Sequence, residues 1–162
     1  MLVFSNIKNL SLGKKFLLGA IILGTIHFID HIMRFDHSGW PFKPDVSPFT
    51  FIVPFVYILI AVAWIAHSKP KLRLFAAGLL ALLTILAHSL IEPPSQIYKM
   101  WANNHSAPAL IYPGDPSAHN LLHVESPLLG VLSILIVVLL VIFTMGAFIS
   151  LIKETSTPTT LS

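Results

Sequence analysis

Four stretches of this chain, residues 16–34, 49–66, 72–91 and 128–152, are apolar around the whole circumference a helix would have. A bilayer core about 30 Å thick needs about 20 such residues per crossing. A helix without a polar face must be surrounded by lipid or by the interior of a very large protein, and 162 residues cannot supply the latter. Only 10% of the residues are charged and mean hydropathy is +0.81, against about 25% charged in an ordinary soluble domain. The expectation is an all-α integral membrane protein, an antiparallel four-transmembrane-helix bundle.

The interruptions have physical causes. Ser38, Gly39, Trp40, Pro41 and Pro44 end the first run, His67, Ser68, Lys69 and Pro70 the second, and Glu92, Pro93 and Pro94 the third, because proline lacks the amide proton a continuing helix needs. Neighbouring spans joined by short turns are antiparallel. The segment from Pro93 to Asp115 is a longer polar connection, expected as an extracytoplasmic loop between the third and fourth helices. Asp115 and Pro116 read as a helix cap and first helical residue, so the fourth helix is expected to start before its apolar run and to kink at Pro127. Residues 1–153 then form one transmembrane domain, and 154–162, rich in Thr and Ser, a disordered cytoplasmic tail.

Lysine and arginine mark the cytoplasmic side of a membrane protein. With four crossings, Lys8, Lys14, Lys15, Lys69, Lys71, Arg73 and Lys153 fall on one side, and Asp30, Asp36, Asp45, Glu92, Asp115 and Glu125 on the other. Both termini are therefore expected in the cytoplasm. Lys14 and Lys15 before an apolar run suit a signal peptide, but His27, Asp30, His31 and Arg34 stand where its small-residue cleavage site would be. The first span reads as retained.

Under this topology His27, His31, His37, His88, His105, His119 and His123 all lie towards the extracytoplasmic side, leaving only His67 on the other. Ionisable groups at membrane depth each cost about 2.5 to 3.5 kcal/mol on insertion scales, so a cluster of them demands mutual compensation or a bound ion. Helical residues four apart share a face. That spacing pairs His27 with His31, Asp30 with Arg34, His88 with Glu92, and His119 with His123.

Imidazole is the commonest side-chain ligand for zinc, copper and iron, and carboxylates complete or orient such sites. His27, His31, His88, His119 and His123 are the candidate metal ligands. Asp30 and Glu92 are candidate catalytic carboxylates, Asp30 as orienter of a histidine or partner of Arg34, Glu92 as ligand or proton-transfer group. His67, His37 and His105 read as interfacial anchors, as do Trp40, Trp64, Trp101, Tyr98 and Tyr112. With no cysteine, thiolate metal sites and disulfides are excluded. The His-Glu-x-x-His string of zinc proteases, the Glu-x-x-His of ferritin-like di-iron bundles and the His-x-x-His-His boxes of membrane desaturases are all absent.

These features favour a transition-metal site (Zn, Cu or Fe) near the extracytoplasmic face, in a membrane metalloenzyme, oxidoreductase or hydrolase, or in a component of an oxidoreductase complex. An apolar substrate dissolved in membrane lipid suits a site at that depth. The alternatives are a b-type cytochrome with His27 and His88 as axial haem ligands, a metal delivery or transport protein, and a non-catalytic accessory subunit whose polar cap docks a partner. A homo-oligomer or larger membrane complex is compatible with each. Nucleic-acid binding has no support, because the few bases serve as topology signals.

Overall fold

The computed structural model describes residues 8–34, 48–104 and 119–156. These are helical throughout their ordered elements: α1 (Leu12–Arg34), α2 (Pro48–Ile65), α3 (Pro70–Leu86), which runs on as a π-helical turn (Ala87–Ile91), α4 (Pro94–Ala102) and α5 (Pro127–Ser156). Among the described residues, three helical stretches are long and apolar enough to cross a membrane: Leu12–Arg34, Pro70–Ile91 and Pro127–Ser156. The described apolar part of α2, Phe51–Ile65, is shorter.

Helix α5 is the spine, packing along α1 and also against α3 and α4, while α2 packs on α3 and only lightly on α1. The α1–α5 pair runs antiparallel. Gly13 meets Leu151, Phe16 meets Gly146 and Gly19 meets Phe143, and Asp30 meets Ser133 further along. Lipid tails are as apolar as leucine, so helices in a bilayer associate through close packing rather than water exclusion. Here two glycines and two phenylalanines interlock. A Cβ on Gly19 would stand 2.1 Å from the Phe143 ring and one on Gly146 2.6 Å from the Phe16 ring, while the two rings meet edge to face with centroids 5.5 Å apart.

At the end that holds the α2–α3 turn, Leu17, Leu59, Ile60, Ala63, Ala76, Ala77, Leu80, Ala147 and Leu151 form a closely packed core. Its alanines let backbones approach. Arg73 Nε donates to Ala63 O at 2.9 Å, and Arg73 Nη1 reaches Glu154 Oε2 at 3.3 Å. Glu154 Oε1 accepts from the Gly13 amide at 2.9 Å, satisfying one of the donors that every helix leaves unpaired at its start.

Several features differ from expectation. Helix α5 extends through Ser156, so residues 154–156 belong to the folded helix because Glu154 has buried partners to hold; residues 157–162 lie outside those described. Helix α5 also begins at Pro127 rather than kinking there. A proline is well accommodated at the first helical position, where its missing amide is not needed, and residues 119–126 before it are non-helical. Asp115 and Pro116 lie outside the described residues. Finally, the start of the long connection after Pro93 is not a simple loop. It folds as α4, an amphipathic helix that buries Ile97, Met100 and Trp101.

Candidate metal centre

At the end away from the α2–α3 turn, α1 ends in His27, Asp30, His31 and Arg34, and α3 ends in His88 and Glu92. The bonding at the end of α3 is set by the Pro93–Pro94 pair, which supplies no amide proton to the carbonyls of the last turn. The turn widens, and the Glu92 amide donates back to Ala87 O at 2.8 Å, five residues away. Such π turns recur at functional sites because they re-aim side chains out of α-helical register. This one places His88 and Glu92 opposite α1.

One ligand atom each from His27, His88 and Glu92 lie within 4.8 Å of one another. A tetrahedral zinc with bonds of about 2.0 to 2.1 Å would draw such atoms to about 3.3 Å apart, a movement within reach of rotamer adjustment. The buried Nδ1 atoms of His27 and His88 have no hydrogen-bond partner among the described residues. His31 stands beside them, its Nε2 3.9 Å from Glu92 Oε1, and His88 Nδ1 lies 3.8 Å from Glu92 Oε2.

A charged network underlies the cluster. Arg34, fully buried at 0% exposure, donates from Nε to Asp30 Oδ2 at 2.7 Å, pairs through Nη1 with Glu92 Oε1, and has Met100 Sδ 3.5 Å from Nη1. Asp30 Oδ1 accepts from Trp101 Nε1 at 2.9 Å and from Ser133 Oγ at 2.5 Å. Asp30 thus fixes Arg34, which fixes Glu92. Burial disfavours the charge on Glu92, and the Arg34 guanidinium outweighs it, holding that carboxyl below the usual carboxylate range. The carboxylate is available as an anionic ligand.

His119 and His123 are placed elsewhere. Their rings are neighbours, with centroids 5.8 Å apart, but both side chains are exposed and neither joins the group formed by His27, His88 and Glu92. The expected helical pairing fails here because residue 123 has a left-handed backbone, φ 53°, incompatible with a right-handed helix. Asn120 organises this segment instead. Its Nδ2 donates to Met100 O at 3.2 Å and Val124 O at 2.7 Å, and its Oδ1 accepts from the Val124 amide at 3.2 Å. The Leu121 amide then donates to Met33 O at 2.9 Å, closing the end of α1. His67 is exposed at the α2–α3 turn, and His37 and His105 lie outside the described residues.

Trp101, read from sequence as an interfacial anchor, is only 3% exposed and supports Asp30. Ser133 and Asn120 carried no sequence flag at all. For α4 a signal exists: Ile97, Met100 and Trp101 recur at the i, i+3, i+4 spacing of one helical face.

The haem alternative meets a steric objection. The His27 and His88 rings stand edge to face with centroids 4.7 Å apart, which leaves no slot for a macrocycle held between two axial imidazoles.

Below the cluster lies a cavity of about 420 Å³ between α1, α2 and α3, backed by Leu140 and Thr144 of α5. Compared with protein-family models, with characterised proteins and with solved structures, the chain matches none.

Proposed function

We propose that this chain is an integral membrane metalloprotein, a membrane metalloenzyme or the metal-bearing component of an oxidoreductase complex. In this reading α1, α2, α3 and α5 all cross the bilayer as a four-helix bundle, α2 being completed by its first turn at Pro48. The basic ends of α1, α3 and α5 face the cytoplasm and the His/Glu cluster lies towards the extracytoplasmic side. One transition-metal ion is held by His27, His88 and Glu92, with His31 beside it, Arg34 fixing Glu92, and Asp30 positioning Arg34.

The observation that carries this reading is the convergence of three ligand atoms within 4.8 Å beside the buried Nδ1 atoms of His27 and His88, which have no hydrogen bond among the described residues. An unsatisfied buried polar atom costs about 1 to 3 kcal/mol, and a metal bond would offset that cost. Two imidazoles and one carboxylate suit catalytic zinc or non-haem iron(II). Copper(I) favours thiolates and thioethers, and the Met100 thioether faces Arg34. Three protein ligands leave a position for water or substrate, and an ion there supplies an activated water or a redox centre. The surrounding residues exclude bulk water and set the carboxylate.

Elemental analysis of the detergent-purified protein, with His27→Ala and His88→Ala alongside, tests the assignment. Near-stoichiometric zinc or iron is expected in the wild type, falling to about a tenth or less in either variant, in keeping with the loss of a direct ligand. Wild-type protein that takes up neither ion after reconstitution would overturn it.

A further inference from the structure

We propose that the cavity below the cluster binds the hydrocarbon tail of a single-chain amphiphile whose head is an oxygen donor, a carboxylate or hydroxyl, seated at the ion. This rests on the metal reading above and names the class of molecule the site takes.

The wall chooses the tail. Ala20, Gly24, Val56, Ile60, Leu80 and Leu83 are typical of the lining. The polar groups among them are already engaged. Thr84 Oγ1 donates to Leu80 O at 2.8 Å and Thr144 Oγ1 to Leu140 O at 3.0 Å. Thr25 Oγ1 donates to Ile21 O at 2.8 Å, leaving the Tyr57 hydroxyl to donate to Thr25. An apolar cavity of this kind does not hold water well and accepts hydrocarbon. Along α1 it extends from Ala20 to His31, about 16 Å at 1.5 Å per residue, which suits one straight chain.

The far end chooses the head. His27 Nδ1 and His88 Nδ1, buried and without a hydrogen bond among the described residues, both lie at that end. Asp30 and Glu92 against Arg34 sum to one negative charge. A divalent ion reverses the sign, so the occupied centre favours an anionic or polarisable oxygen and repels an ammonium head.

Access is from the side. Ile52, Leu86 and Leu90 line the cavity and are also exposed on the outer surface, at 37%, 40% and 59%, so a molecule already in the bilayer can enter without crossing water. Gly24 keeps the space open: a Cβ there would meet only Leu140 Cδ1, at 3.9 Å.

The test uses dodecanoic acid with a terminal diazirine, its alcohol counterpart, and a headless dodecane analogue, photolysed with metal-loaded full-length protein in detergent. Labelling by the acid and alcohol should map to the cavity floor near Ile60 and Leu80, compete with unlabelled dodecanoic acid, and exceed that by dodecane. In Gly24→Leu, and independently in Val56→Phe, labelling should fall about tenfold, as expected when an added side chain overpacks a filled site, while metal content stays at the wild-type level. Undiminished labelling in both metal-bearing variants, or labels spread over lipid-facing residues such as Phe55 and Val138, would overturn the proposal. Equal labelling by dodecane would overturn the role of the head. Loss of metal from the wild type is a separate result, read by elemental analysis, and would remove the underlying metal assignment.

Discussion

Arg34 is the residue on which the centre turns, because its buried guanidinium pairs with two carboxylates, buried Glu92 and partly buried Asp30. Taking an ion from water into a low-dielectric interior costs several kcal/mol, which is recovered only if its partners are well placed. Those partners are themselves braced, Asp30 by Trp101 and Ser133. Hydrogen bonds to a charged group are worth about 1.5 to 3 kcal/mol each, so Trp101→Phe and Ser133→Ala should each lower unfolding stability by about that amount, measured by denaturant titration in mixed micelles. Because both donors share Asp30 Oδ1, the double variant should depart from additivity by about 0.5 kcal/mol or more; strictly additive losses would mean that the two do not act through Asp30. Part of this residue-level picture is legible in one dimension. The Asp30–Arg34 and His88–Glu92 spacings are local, and local spacings survive folding. Trp101 and Ser133 stand 71 and 103 residues from Asp30, and no pattern within a window of the sequence links them.

Among the elements, α1 and α5 form the tightest union, with Phe16 over Gly146 and Phe143 over Gly19. Gly19→Ala and Gly146→Ala should each destabilise the protein by about 1 to 3 kcal/mol through overpacking, and Phe143→Leu should partly restore Gly19→Ala but not Gly146→Ala, a selectivity that the same titrations would reveal. The long elements were readable because an apolar run bounded by proline has few other ways to fold. Their local departures were not. The π turn at Ala87–Ile91 arises from two consecutive prolines acting on carbonyls several residues upstream. The segment holding His119 and His123 obeys helical spacing in sequence, yet Asn120 and the backbone at residue 123 bend it into a turn. A spacing argument assumes the helix it is used to find. Helix α4 went unread for the opposite reason, since the polar residues around Ile97, Met100 and Trp101 hide a buried face only nine residues long.

For the whole molecule, the antiparallel packing collects Lys14, Arg73 and Lys153 at one end and the His/Glu cluster at the other. The chain has no cysteine, so single replacements report sidedness directly. In sealed vesicles oriented as in the cell, a membrane-impermeant thiol reagent should label His119→Cys from outside and leave Lys8→Cys unmodified until the vesicles are opened; the reverse pattern would invert the proposed orientation. The charge network also bears on how such a chain is made. Asp30 and Arg34 are four residues apart on one helix and bonded to each other, so α1 carries its own neutralising partner when it leaves the ribosome, before the rest of the chain exists. Glu92 arrives later, and its i, i+4 partner on its own helix is His88, an imidazole rather than a fixed cation. In the proposed membrane arrangement biogenesis therefore has a direction: α1 would enter the bilayer with its charge already paired, and the carboxylate following α3 would meet the arginine already there.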